Sequence, residues 1–291
     1  MKAVERYFRS HIPERTGAGA ALGTPFTEPS AAPPQLFKTS AIPRGNAREI
    51  SMSAAAKFPH RSRATLEDKQ LVATDTYLLR YRLPSSERLK FLPGQYVTFI
   101  LDRGGKSVTR SYSFASDPDS GNSFELVIKK VESGFASNLL CGALVGQEFT
   151  VLLPLGRFVV HDPLSRKALF VATGTGIAPF FTMIRALLAE HPEIDITLVV
   201  GYRHPADLIL NDRWLAFARA SPNFHLVNVL SRPDHEWKGE SGHVQDVVRK
   251  LFQDLSQHDV YICGVPEMVS EVQDLAVSLG TPKERVFVER Y

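Results

Sequence analysis

"ALFVATGTGIAPFFTMIRALLAEH", residues 168–191, is the stretch whose reading decides the fold. Ala168 to Thr173 form a near-continuous apolar run, the pattern of a strand covered on both faces. Two glycines then turn the chain. A helical pattern opens around Pro179, which suits a first helical turn because its missing N–H has no partner there anyway. The same rhythm repeats downstream. "ITLVVGY" (196–202), "FHLVNVL" (224–230), "DVYICG" (259–264) and "RVFVERY" (285–291) are further apolar runs, and helical stretches at 179–191, 210–220, 244–255 and 266–280 alternate with them. Strand alternating with helix predicts a doubly wound α/β parallel sheet. Ligands in such sheets bind beyond the carboxyl ends of the strands, so "TGTGIAP", "GYRH", "LSRP" and "CGVPE" are expected along one edge.

Residues 64 to about 160 follow a different rhythm. "YLLRYRL" (77–83), "QYVTFIL" (95–101), "RSYSFAS" (110–116), "FELVIKKV" (124–131) and "EFTVLLPL" (148–155) are β-branched or aromatic runs separated by "LPG", "DRGG", "DPDSGN" and "LVGQ". Short strands with this punctuation predict an antiparallel β-barrel or sandwich. The expected organisation is an α+β chain of two domains, with an antiparallel β-barrel at 63–162 and a parallel-sheet α/β domain at 163–291. Residues 1–62 are rich in Pro, Ala and Ser without sustained periodicity, which reads as an accessory tail. Its excess of Lys and Arg over Glu makes it basic. Glu5 and Glu14 speak against an organelle-targeting peptide, which is poor in acids, so a cytoplasmic location is expected.

Composition narrows the chemistry. A charged fraction of 22% and a hydrophobic fraction of 44% are those of a soluble globular protein, and a net charge of +3 gives no footprint for nucleic acid. No apolar run approaches the ~20 residues of a transmembrane helix. Two cysteines, Cys141 and Cys263, cannot ligate an iron–sulfur cluster, and none of the histidines falls into a metal-ligand spacing. Redox chemistry here needs an organic cofactor.

Several stretches carry chemistry, each with a plainer reading beside it. Within "RSYSFAS", Arg110, Tyr112 and Phe114 share one strand face, while Ser111, Ser113 and Ala115 share the other. Taken alone this is an edge strand with a solvated Arg. "ATGTGIAPF" (172–180) places Gly174 and Gly176 where backbone comes close to a ligand at a helix start, a setting that favours an anion such as a pyrophosphate. It is neither a G-x-G-x-x-G fingerprint nor a P-loop, and many α/β proteins need such a turn for packing. "GFASNLL" (134–140) taken alone is a helix start capped by Ser137. Cys263 and Cys141 read first as small buried hydrophobes.

The order of these motifs adds what no single one supplies. "RSYS", "GFASNLL", "ATGTGIAPF", "CGVPEMV" and the terminal "VERY" occur in the sequence in which they stand in the plant-type ferredoxin–NADP⁺ reductase superfamily, which residues 64–291 resemble. That family pairs an antiparallel FAD barrel with a parallel-sheet pyridine-nucleotide domain. The resemblance implies that Arg110 holds the FAD phosphates, that Tyr112 stacks on the isoalloxazine, and that Ser113 bonds near its hydride-accepting nitrogen. Val127, Ile128 and Lys129 would line the flavin chain, with Gly134, Ala136 and Ser137 around its pyrophosphate. Thr173, Gly174, Thr175 and Gly176 would face the nicotinamide nucleotide, and Cys263 and Gly264 would lie against the nicotinamide ring. Glu289 would supply or position a proton, and Tyr291 would cover the second flavin face. Arg203, Ser231 and Arg232 stand where the family often grips the 2′-phosphate of NADPH. "LSRPDHEWKGESGHV" (230–244) also resembles a stretch of NADH-using relatives, with Ser231 in place of their acid.

The implied activity is electron transfer between NADPH and an acidic one-electron carrier, ferredoxin or flavodoxin, through FAD. An NADH-dependent reductase component of an oxygenase or cytochrome is the nearest alternative. A non-catalytic subunit retaining the fold is the third.

Overall fold

A computed structural model describes residues 59–118, 120–161 and 167–291. Residues 1–58, nearly all of the expected tail, lie outside the described residues, as do Asp119 and 162–166. The first six strands are β1 (His60–Ala73), β2 (Thr76–Arg82), β3 (Tyr96–Arg103), β4 (Lys106–Ser113), β5 (Ser123–Lys129) and β6 (Glu148–Leu155), ordered β4-β3-β6-β1-β2-β5 and antiparallel throughout. The outer strands of that order meet through a bridge between Phe114 and Leu126, and Ala115 N–H donates to Glu125 at 2.8 Å, so the sheet closes into a barrel. Closure removes the exposed edges that an open sheet leaves unpaired. Phe99, Tyr81, Phe124 and Phe114 fill the interior, all fully buried.

Strand β1 was not expected from its sequence. Its buried positions carry Ser62, Ala64 and Leu66 between charged residues, so small side chains hide the alternation. The strand that carries "RSYS" starts at Lys106 rather than Arg110, because Gly104 and Gly105 make a tight hairpin with β3. One helix, α1 (Phe135–Gly142), interrupts the barrel between β5 and β6.

The second sheet has six strands: β7 (Lys167–Thr173), β8 (Asp195–Tyr202), β9 (Phe224–Leu230), β10 (Glu240–Ser241), β11 (Asp259–Gly264) and β12 (Val286–Arg290). Their order is β10-β9-β8-β7-β11-β12, all parallel. Helices α2 (Ala178–Glu190) and α3 (Asn211–Ala220) cover one face and α4 (Val244–Leu251) and α5 (Pro266–Ser278) the other, each over its own apolar core. This is the doubly wound arrangement expected from the alternation. A single turn of 3₁₀ helix, Gly174–Ile177, precedes α2, whose first turn holds Pro179. Helix α4 stops at Leu251, short of the expected 255, and the chain packs Phe252 and Leu255 as loop residues instead.

The two domains are tied at the β1–β2 turn. The N–H and hydroxyl of Thr74 both donate to the Ala206 carbonyl, at 2.9 and 3.1 Å. Beside that contact Lys129 of the barrel pairs with Asp207 of the second domain at 3.6 Å, and Asp117 pairs with Arg185 at 3.0 Å.

Candidate functional site

A cavity of about 660 Å³ opens where the barrel meets the carboxyl ends of β7 and β12. That is a volume typical of cofactor clefts. One wall is the face of β4 that carries Arg110 and Tyr112, with Ser113 at its end. The floor is Val127, Ile128 and Lys129 of β5 and the first turn of α1 with Gly134, Ala136 and Ser137. Thr175 and Tyr291 close it from the second domain. Eleven of the residues singled out from sequence thus border one space. Arg110 and Tyr112 share a face because the register pairs Val97 with Tyr112 and Phe99 with Arg110, which sets both over the barrel interior. Phe99 meets the Tyr112 ring edge-on at 6.0 Å and fixes it. Burial pushes the Tyr112 phenol up to about 12, so it stays neutral.

One wall of this cavity brings together the start of α1 and the Arg110 guanidinium. Arg110 is exposed and, among the described residues, donates only to its neighbour's carbonyl, at Thr109, 2.7 Å away. Helix α1 has no acidic residue in its first turn, so its positive end faces the cavity uncompensated. A Cβ on Gly134 would sit 2.5 Å from the Ser137 hydroxyl, which is why that position is glycine although its φ of −84° is ordinary. The helix cap is Gly134, not Ser137. Ser137 stands three residues in, and its hydroxyl accepts from Val131 N–H and donates to the Gly134 carbonyl, both at 3.1 Å. It shapes the loop, leaving the helix amides to meet an anion. Lys129 borders the cavity, and its ammonium faces Asp207 across the domain boundary.

At the other end of the cavity the chain terminus converges on β4. The Tyr291 hydroxyl lies 3.1 Å from the Ser113 hydroxyl, which donates to Glu289 at 3.4 Å, and Tyr291 also shares a hydrogen bond with the Cys263 thiol. Tyr291 N–H donates to the Gly264 carbonyl at 3.1 Å, holding the last residue against the end of β11. The ring itself is 52% exposed while its hydroxyl points inward, and the loss of water around that hydroxyl raises the phenol well above its ordinary value. Cys263 is fully buried, which raises its thiol too and keeps it protonated.

Glu289 is raised to about 7 by burial, against the opposing hydrogen bond from Ser113. Glu289 borders a second cavity, about 570 Å³, lined by Tyr96, Arg157, His161 and Phe287, and reaches the first through Ser113. A carboxyl near neutrality in that position can hold and release a proton in the working pH range. Because its folded pKa lies above its ordinary value, the stability it contributes is complete at low pH and is lost as pH rises through about 7. Glu289→Gln removes that loss. The fall in Tm between about pH 5 and about pH 8 is therefore expected to be smaller in the variant than in the parent. An identical fall in both would contradict this ionisation.

The nucleotide edge is held by close backbone packing. A Cβ on Gly176 would lie 2.3 Å from the Cys263 carbonyl oxygen, so this glycine lets the turn approach β11 closely. Gly174 has φ +53° with open space where a side chain would go. Thr173 accepts from Val265 N–H at 3.4 Å through its hydroxyl, joining the turn to the loop after Gly264. Farther along the same edge, Arg203, Ser231 and Arg232 are all exposed, and Arg232 N–H donates to the Arg203 carbonyl at 2.8 Å. Neither guanidinium has an ion pair among the described residues. Cys141, outside every motif, is buried against the Ile128 carbonyl and is pushed up to about 11 by burial.

An antiparallel barrel followed by a doubly wound sheet, with a deep cleft at their junction, defines a two-domain flavin- and pyridine-nucleotide-dependent oxidoreductase. Residues 63–160 match the oxidoreductase FAD-binding domain and residues 170–274 the oxidoreductase NAD-binding domain. The chain belongs to the ferredoxin–NADP reductase superfamily of FAD- and NAD(P)-binding oxidoreductases. It is 35% identical to ferredoxin–NADP reductase B of Sorangium cellulosum over 73% of this chain and 90% of that one. It is 31% identical to the toluate 1,2-dioxygenase electron transfer component of Pseudomonas putida over 78% of this chain and 67% of that protein. The crystal structure of the Amycolatopsis cytochrome P450 reductase GcoB superposes with a TM-score of 0.74 at 27% identity, covering 80% of this chain and 70% of that one. No helix among the described residues is long and apolar enough to cross a membrane.

Proposed function

We propose that this protein takes a hydride from NADPH and passes the electrons singly to a small acidic carrier protein, a ferredoxin or flavodoxin. The observation that carries this reading is the convergence of Ser113, Cys263, Glu289 and Tyr291 beside the cavity that Arg110 and Tyr112 border. FAD, when bound, supplies the conversion between two-electron and one-electron chemistry. The chain's own groups do the rest. Arg110 and the amides of α1 hold phosphate, and the planar fork of Arg suits that better than Lys would. Tyr112 offers a flat, neutral ring for stacking. Ser113 is a hydroxyl fixed by two partners, aimed where a proton must be placed, and Glu289 stands behind it. Tyr291 keeps water off the reacting face until the nicotinamide takes its place.

NADPH is favoured over NADH because two guanidiniums without an ion pair among the described residues stand with the Ser231 hydroxyl on the nucleotide edge, and position 231 carries a hydroxyl rather than a carboxylate. The likeness to ferredoxin–NADP reductase B over nearly its whole length supports the same choice. One feature supports a second reading, an NADH-dependent reductase for an oxygenase or cytochrome. Asp234 accepts from the N–H groups of Glu236 and Trp237, making the turn of the "RPDHEW" stretch that NADH-using relatives resemble.

Steady-state kinetics with the two nucleotides decides between them. The NADPH reading expects kcat/KM for NADPH to exceed that for NADH by at least about tenfold, and Arg203→Ala with Arg232→Ala together to erase most of that ratio through KM. A ratio at or below one in the parent protein overturns it in favour of the NADH reading.

A further inference from the structure

A third cavity, about 480 Å³, lies between the barrel and the second domain and shares no lining residue with the flavin cleft or with the cavity beside Glu289. Its size suits a small-molecule site. One wall is the outward face of β2. Leu79 and Tyr81 fill the barrel interior, so the alternation of the strand turns Leu78, Arg80 and Arg82 the other way, toward the second domain. Phe181 and Arg185, about one helical turn apart on α2, form the facing wall with Leu210 and Arg213 at the start of α3.

Charge is not balanced there. Among the described lining residues four guanidiniums meet three carboxylates. Arg80 donates to Glu125 through Nε at 3.0 Å and Nη2 at 2.6 Å, Arg82 pairs with Glu67, and Arg185 pairs with Asp117 at 3.0 Å. Arg213 is the remainder. It is half-buried, and its guanidinium has neither an ion pair nor a hydrogen bond among the described residues. The rest of the second-domain wall is apolar. Phe181 lies against the buried Trp214 ring, 4.4 Å between centres, which holds it in place, and Leu210 follows it around the cavity.

We infer that this interdomain cavity binds a small organic monocarboxylate, with the carboxylate on Arg213 and the apolar body against Phe181. The planar fork of Arg offers two parallel N–H bonds to the two oxygens of a carboxylate. The single charge of a carboxylate matches the one left over, whereas a phosphate ester brings nearly two. Binding also gives a partner to a half-buried cation that otherwise lacks one. Because β2 belongs to the barrel and α2 and α3 to the second domain, a ligand seated here touches both. Neither flavin nor nicotinamide takes part, so the site stands or falls apart from the proposed electron transfer.

The test is isothermal titration of the full-length protein, loaded with FAD so that the flavin cleft is filled. The probes are 3-phenylpropionate, 3-phenylpropanol, acetate and inorganic phosphate, each added separately. 3-Phenylpropionate is expected to saturate at about one per chain, and the other three to bind at least about tenfold more weakly. Arg213→Gln is expected to weaken 3-phenylpropionate by about tenfold or more, and Phe181→Leu by a smaller factor. Since Arg213→Gln removes an uncompensated charge, its Tm without probe is expected to be no lower than the parent's. Saturating NADP⁺ is expected to leave the titration unchanged. No saturable binding of 3-phenylpropionate, equal binding by Arg213→Gln, or displacement by NADP⁺ overturns the inference. Phosphate binding in preference to 3-phenylpropionate overturns the carboxylate assignment, and a lowered Tm in Arg213→Gln shows that the guanidinium serves the fold instead.

Discussion

Replacing Tyr291 with Ser is expected to raise kcat/KM for NADH by roughly two- to tenfold, with a much smaller gain for NADPH. The Tyr291 ring is held by its backbone N–H on Gly264 and by hydroxyl contacts to Ser113 and Cys263, so it does not drift from the cavity unaided. In the proposed reading a nicotinamide displaces this ring before reaching the reacting face. Separating a stacked ring costs on the order of 0.5–1.5 kcal/mol, and each 1.4 kcal/mol or so is tenfold in rate. In the same reading NADPH would offset that cost through its 2′-phosphate on Arg203 and Arg232, and NADH would not. Tyr291→Phe separates the parts: it keeps the ring and loses the hydroxyl bonds, so its NADH kinetics should lie between the parent and the Ser variant. NADH kinetics unmoved by the Ser substitution would remove Tyr291 from the site.

Arg110→Ala is expected to cost the most flavin. Charge-assisted bonds to phosphate are worth about 1.5–3 kcal/mol, so FAD and FMN should both weaken by roughly ten- to a hundredfold. Because Arg110 is exposed and anchors no carboxylate, the barrel should keep its Tm in the flavin-free state. Arg110→Lys should restore charge without the bidentate fork and recover only part of the affinity. Unchanged affinity for both flavins in Arg110→Ala would show that phosphate binds elsewhere.

How much of this was written in the chain depends on the distance over which each signal acts. The parallel sheet was legible because "ALFVAT" and its fellows are buried on both faces and so read as unbroken apolar runs, and the shared face of Arg110 and Tyr112 followed from the period of two. Strand β1 was hidden, since Ser62 and Ala64 fill buried places without announcing them. Local capping misled at Ser137, where a hydroxyl that normally caps a helix folds back onto Val131 and Gly134 instead. The contacts that set the domains against each other were beyond reach from sequence. Lys129 and Asp207, or Asp117 and Arg185, are ordinary surface charges until the fold brings them together.

The most direct test is to mix the purified full-length protein, loaded with FAD, with NADPH in the absence of oxygen and follow the visible flavin band by stopped flow. The account expects one flavin per chain and bleaching of that band faster than steady-state turnover, with colour restored when an oxidised ferredoxin or flavodoxin is added. A protein that purifies without flavin and takes up none, or one whose bound flavin stays yellow with either nucleotide, would contradict it.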